Sequence, residues 1–215
     1  MSDTGTMKPD DATVPVAEPL GWFGKIPALG DFATRHLPRS FVDRWDEWLC
    51  GELGQSQRAL GDDWAPVYRQ SPVWCFSLGA GVVDERAWQG ILLPSFDRVG
   101  REFPLTIAQR WPGRLLLGMP DSGWAELVAI GQGALDRRLS ADALDAALAS
   151  FASPRGAFPA TSAGGVPGGA ASERTAVGVG TSSWWPWRAD IAPAAPPLSF
   201  SGLPRGSQFR PLLGS

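Results

Sequence analysis

The sequence predicts an α+β fold, a single domain built on a mainly antiparallel sheet, and three observations carry that prediction. Apolar, strand-like runs at residues 73–78, 88–93 and 105–110 follow one another through short connections. These span roughly ten residues, too few for a helical crossover with its loops, so neighbouring runs should pair antiparallel. Before and after them lie segments whose apolar residues recur at helical spacing. The 215 residues are 44% apolar, enough to bury a core between such helices and a sheet.

Taken in order, residues 1–19 are polar and acidic, lack the basic start and apolar core of a secretory signal, and read as a disordered tail. Gly21-Trp22-Phe23-Gly24-Lys25-Ile26-Pro27 reads as a short strand stopped by its proline, and residues 28–32 as a turn in which Gly30 takes a positive φ. Pro38 and Ser40 signal a helix start, with Ser40 as the cap and Asp43 in the first turn. Phe41, Trp45, Trp48, Leu49 and Leu53 then form one apolar stripe, with Asp43, Arg44, Asp46 and Glu47 on other faces. Gly54, or the Gly61-Asp62-Asp63 cluster, should end that helix.

The three strand runs begin after Trp64 and Pro66. Helices return at Asp121 or Ser122, where Trp124, Leu127, Val128 and Leu135 share a face and Arg137-Arg138 is expected in the last turn. Ser140 should cap a further helix carrying Leu144, Leu148 and Phe151. Residues 153–172 are rich in Pro, Gly, Ala and Ser and read as a flexible loop. Beyond it, residues 175–180 alternate like a strand, residues 182–187 carry three indoles, and residues 198–204 suggest a last short strand. Such segments need a partner sheet, so residues 20–215 are expected to form one domain with a long internal loop.

Composition excludes several partners. Net charge is −3, and only Lys8 and Lys25 among the 19 basic residues are lysines, with the arginines scattered. No basic field is present to hold nucleic acid or an anionic membrane surface. No apolar run approaches the ~20 residues that span a bilayer. A cytoplasmic protein is expected. Cys50 and Cys75 lie in apolar runs and read as reduced core residues. Most of the eleven tryptophans should be core, and an exposed subset would mark an interface.

The chemistry concentrates in residues 92–105, which join two strand runs and place Asp97, Arg98, Arg101 and Glu102 around Gly100. These charges either pair with one another and brace the loop or form a site. Asp31, Asp97 and Glu102 would make a carboxylate site if the fold gathered them, and Arg98 or Arg101 would hold an anion bidentately. The single histidine, His36, has no metal-ligand, cysteine-pair or nucleophile-elbow pattern around it, and Gly79-Ala80-Gly81 does not open a phosphate loop. No cofactor or metal is expected.

These stretches together resemble the TagF/ImpM family associated with bacterial type VI secretion. The residues that carry the resemblance are the Gly21–Pro27 segment with Gly30-Asp31-Phe32, Arg35 and Leu37-Pro38. Trp45-Asp46-Glu47-Trp48-Leu49, the Pro94-Ser95-Phe96-Asp97-Arg98-Val99-Gly100-Arg101-Glu102-Phe103-Pro104-Leu105 loop, Ser183-Trp184-Trp185 and Gly202-Leu203-Pro204 continue it in order. It runs from about residue 20 to the end, with the low-complexity loop excluded. The resemblance implies a three-layer α/β/α arrangement around an antiparallel sheet. It further implies a cytoplasmic, non-enzymatic accessory protein that represses type VI secretion after translation by binding a forkhead-associated-domain scaffold protein. Some relatives carry a fused phosphatase domain, for which this chain has no room, so a stand-alone regulator is expected. Asp31, Arg35, Asp97, Arg98 and Arg101 are the candidate partner-binding or loop-bracing residues. The alternative is a small-ligand or anion sensor, or an enzyme, that uses Asp97, Arg98 and Arg101.

Overall fold

Seven strands form one antiparallel sheet, and side chains alternating along them put apolar groups on both of its faces. The computed structural model describes residues 18–111, 121–151, 177–188 and 196–214. The strands are β1 (Gly21–Gly24), β2 (Ala33–Arg35), β3 (Trp74–Leu78), β4 (Ala87–Leu93), β5 (Leu105–Trp111), β6 (Thr181–Pro186) and β7 (Leu198–Ser201), in the spatial order β2-β1-β5-β4-β3-β6-β7. The meander read from the sequence is β3-β4-β5, with Phe76 opposite Gly90 and Gly90 opposite Ala108. β6, which follows the low-complexity stretch, pairs with β3, so both halves of the chain build the same sheet.

One face carries Phe23, Trp74, Phe76, Leu78, Trp88, Leu92 and Trp184 into a core with helices α1 (Arg39–Leu60) and α2 (Trp64–Arg69) and the C-terminal turns Gly206–Gln208 and Arg210–Leu213. The other face carries Trp22, Cys75, Ile91, Leu93, Leu105 and Ile107 against α3 (Asp121–Asp136) and α4 (Ala141–Ser150). This is the three-layer α+β arrangement expected, and it explains why the central strands β1, β3, β4 and most of β5 are almost uninterruptedly apolar: they are covered on both faces, whereas the edge strands β2 and β7 are partly exposed. Each large side chain buried in this way contributes roughly 1.5–3 kcal/mol.

Eight of the eleven tryptophans are buried and the other three half-buried, so none is exposed. The indoles bind through their N–H groups as well as their area. Trp45 donates to Thr106 Oγ1 at 2.8 Å, tying α1 to β5, while Trp48 and Trp74 donate to the carbonyls of Pro204 and Leu212 at 2.8 and 2.9 Å, tying down the C-terminus. The tryptophan excess therefore serves the core, with no exposed indole of the kind that would mark an interface.

At Gly90, close packing requires the absence of a side chain. A Cβ there would lie 2.2 Å from the Ile107 carbonyl oxygen and 2.8 Å from Phe76 Cζ.

Several local expectations are corrected. α1 starts one residue after Pro38, and the Ser40 hydroxyl, instead of capping it, donates to Asp84 Oδ2 at 3.2 Å. Asp43 lies beyond the first turn; of the two stops expected, the helix passes Gly54 and ends, as the second allowed, at Gly61, whose φ is 55°. Gly30 is not among the positive-φ residues, and the chain instead forms the edge strand β2 just after it. α2 follows α1 where only a lead-in to the strands was read. α3 ends at Asp136, so Arg137 and Arg138 lie past its last turn. Ser140 does cap α4, accepting from the Ala143 amide at 3.2 Å. The strand expected at 175–180 does not form over its described residues: 177–180 are loop and turn, and β6 begins at Thr181. Cys75 is buried, whereas Cys50 is exposed on α1. The expected flexible loop at 153–172 falls outside the described residues, as does the expected tail except for residues 18 and 19.

Candidate functional site

The registers of the sheet decide where the 94–104 connection lies. Leu105 pairs with both Leu93 and Gly24, so the loop between β4 and β5 sits beside the C-terminal end of β1 and the turn that follows it. The two segments are stitched together by backbone and side chain. The Arg98 amide donates to the Leu29 carbonyl at 2.7 Å, Arg101 Nη2 donates to the Gly30 carbonyl at 2.6 Å, and the Ser95 hydroxyl donates to the Lys25 carbonyl at 2.6 Å.

Asp97 organises the loop from inside. Its side chain has no exposed surface. Oδ1 accepts from the amides of Val99 and Arg101 at 3.0 and 2.9 Å, and Oδ2 accepts from Arg101 Nε at 2.6 Å and faces Lys25 Nζ at 3.3 Å. Backbone bonds close the same turn, Gly100 N–H to the Asp97 carbonyl at 2.9 Å and Asp97 N–H to the Arg101 carbonyl at 3.1 Å, and the turn needs the φ of 86° that Gly100 supplies. Desolvation pushes the Asp97 carboxyl up, but the hydrogen bonds from Arg101, Lys25 and the Val99 amide outweigh it and hold the group well below the usual carboxylate range. The carboxylate is therefore charged and saturated with donors.

Lys25, buried at the end of β1, is the counter-charge that sequence reading passed over. Its ammonium also lies 4.8 Å from the centre of the Phe32 ring and 3.4 Å from the Arg101 carbonyl. Its signal was its rarity: it is one of two lysines, set in an apolar strand end. Behind the loop, the Tyr68 hydroxyl accepts from the Ser95 amide at 2.9 Å and donates to the Ser95 carbonyl at 3.0 Å. Burial pushes the Tyr68 phenol up, so it stays protonated and keeps that donor.

The other candidate residues divide. Asp31 is exposed and accepts from the Phe32 amide at 2.8 Å. Glu102 pairs with Arg69, whose Nε lies 3.1 Å away, so Asp31, Asp97 and Glu102 each have their own partners. Arg98 is exposed, and its guanidinium makes no hydrogen bond or ion pair among the described residues. Arg35 belongs to a different cluster. It lies on β2 with its guanidinium 3.5 Å from Asp142 and 3.6 Å from Asp145 of α4, where Asp145 Oδ1 also accepts from the buried Trp22 indole at 2.7 Å and Oδ2 lies 3.7 Å from His36 Nε2. The β1–β2 register sets Arg35 opposite Trp22, and the packing of α4 on that face of the sheet brings Asp142 and Asp145 to them, so no sequence spacing announces the cluster.

Three of the four large apolar side chains that are exposed among the described residues lie on this loop or its neighbouring turn: Phe32 at 45%, Phe96 at 36% and Val99 at 70%. No group of three or more potential metal ligands occurs among the described residues, and no described helix is long and apolar enough to cross a membrane.

A sheet covered on both faces and stitched at one end defines an α/β/α scaffold whose accessible features are its strand edges and end loops. The model of the TagF N-terminal domain, described as type VI secretion system-associated, matches residues 21–151, and the chain belongs to that family. A solved structure, that of PA0076 from Pseudomonas aeruginosa PAO1, is similar at a TM-score of 0.70 and 29% sequence identity over 91% of this chain and 94% of that one. No curated protein matches the sequence.

Proposed function

We propose that this protein is a cytoplasmic, non-enzymatic negative regulator of a bacterial type VI secretion system that acts after translation by binding a forkhead-associated-domain scaffold protein. Membership of a type VI secretion-associated family supports the pathway. The observation that carries the binding role is the loop of residues 96–101, which is ordered from within by Asp97 and turns Phe96, Arg98 and Val99 outward. Apolar and arginine side chains held out on a rigid support suit protein recognition, because little side-chain and loop entropy remains to be lost. An anion clamp built from two arginines fits less well, since Arg101 is committed to Asp97 and the Gly30 carbonyl.

The test is genetic and biochemical. Deleting the gene should raise the amount of secreted tube protein in the medium without changing transcripts of the secretion genes, and the purified protein should retain the scaffold in a pull-down. Unchanged secretion on deletion, together with no retention of the scaffold, would remove this reading. A thermal-shift screen against phosphates and nucleotides checks the sensor alternative, which requires stabilisation by a specific ligand.

A further inference from the structure

The 96–101 loop internalises its negative charge and displays its positive charge, and that asymmetry constrains what docks on it. Asp97 has no exposed side-chain surface, whereas the Arg101 side chain is 60% exposed and Arg98 is exposed and unpaired. On the same loop and its neighbouring turn are Phe32, Phe96 and Val99, three of the four large apolar side chains exposed among the described residues. The two supporting segments are bonded to each other, Arg98 N–H and Arg101 Nη2 donating to the carbonyls of Leu29 and Gly30, next to Phe32. Among the described residues, the acidic groups of the loop and its neighbouring turn that are not fully buried are Asp31, exposed and turned to its own neighbour's amide, and Glu102, largely covered and paired with Arg69.

We propose that this surface, Phe32, Phe96, Arg98 and Val99, docks a segment of the partner protein that carries a carboxylate between apolar side chains, the carboxylate meeting Arg98 bidentately. The inference rests on the reading of this protein as a partner-binding regulator and names the chemistry of the contact. An isolated guanidinium recognises a carboxylate through two parallel N–H···O bonds, and the apolar rim strengthens that pair by excluding water. Net charge of −3 on the whole chain gives the wider surface no attraction for acidic segments, so recognition of one has to be local to this loop.

The experiment places the photoreactive residue p-benzoylphenylalanine at position 99 of the full chain, and separately at position 179, where Val179 is 84% exposed outside this surface. Each protein is crosslinked in the native bacterium and the joined peptides are mapped by mass spectrometry. Position 99 is expected to join a segment containing Asp or Glu flanked by apolar residues. Arg98→Glu should cut that product about tenfold, the loss of a charge-assisted pair, and Arg98→Lys should restore part of it. Arg98→Glu removes no bond within the fold, and its unchanged melting temperature is the control. A joined segment that is basic or uncharged, one bound only when phosphorylated, a second copy of this chain, or a yield indifferent to Arg98→Glu would each overturn the proposal. Crosslinks at position 179 alone, with the scaffold still retained, would place docking elsewhere and leave the regulatory reading standing. No crosslink and no retention would remove both.

Discussion

Asp97 and Arg101 bond each other three times, the carboxylate accepting from the guanidinium Nε at 2.6 Å and from the Arg101 amide at 2.9 Å while the Asp97 amide donates to the Arg101 carbonyl at 3.1 Å, so that a charged pair closes the turn that a backbone bond alone would hold loosely. The carboxylate also neutralises buried Lys25. Asp97→Ala strands that ammonium and two loop amides, whereas Asp97→Asn keeps one acceptor for the amides. Both variants should have a lower urea midpoint than the parent, with Asp97→Ala the lower of the two. A midpoint unchanged in Asp97→Ala would show that the loop does not depend on this pair.

The same carboxylate predicts a direction for acid stability. Its folded value is held below the unfolded one, so in the window between them the unfolded chain binds more protons and stability rises with pH. The contribution is complete at neutral pH, starts to fade as pH falls through about 4, the ordinary aspartate value, and is lost as pH drops through the folded value. Urea midpoints measured from neutral pH downward should fall less steeply for Asp97→Asn than for the parent.

Asp145 holds the β2 edge to α4 by receiving Trp22, Arg35 and His36. Asp145→Ala leaves the buried Trp22 N–H without an acceptor, at a cost of roughly 1–3 kcal/mol. Chemical denaturation followed by tryptophan fluorescence measures it, and Asp145→Asn, which retains an acceptor oxygen, should recover part of the loss.

The two cysteines should separate in a thiol assay. Cys75 is buried and its thiol is pushed up by burial, so it should react only on unfolding. Cys50 is exposed, but desolvation, then the charge of Asp46 and the hydrogen bond to it, push its thiol up to about 11. One slow-reacting thiol is expected in the native protein, faster as pH rises toward that value, and two in denaturant. Asp46→Asn should speed the native reaction at a fixed pH.

A row of polar side chains on the α3–α4 face supplies a further test. Ser183, Ser77, Gln89 and Gln109 pair in register across β6, β3, β4 and β5, all buried, with Ser77 Oγ, Gln89 Nε2 and Gln109 Oε1 lacking hydrogen-bond partners. Ser77→Ala removes an unmatched hydroxyl and should leave stability unchanged or raise it by up to about 1 kcal/mol. Gly90→Ala, one strand away, should destabilise severely, because backbone at β5 blocks the added methyl. Thermal melts of the two variants should move in opposite directions or differ by a wide margin.

What the sequence made legible was whatever depends on local pattern. The runs at β3, β4 and β5 and the stripe on α1 announced themselves through long apolar periodicity, and the charged loop through its contrast with both flanks. What it hid has specific physical causes. β2 is three residues long, half-exposed or exposed throughout, and made a strand only by pairing with β1. Ser40 resembles a cap until Asp84, 44 residues away, offers its hydroxyl a better acceptor. Arg35 fits a cluster with Asp97 by residue type, yet strand register carries it to α4. The family motifs marked where the loop is, and only its folded geometry divides the arginines into one that braces and one that is exposed and unpaired.

Tyr68 acts at the end of β4 as a strand residue would, since one phenol oxygen answers both the amide and the carbonyl of Ser95. The Ser95 amide is thereby protected from exchange by a side chain on α2 instead of by a neighbouring strand. Its hydrogen-exchange rate is a built-in gauge of whether α2 is seated, readable on a single residue, and it would report loosening beneath the loop before the sheet itself gives way.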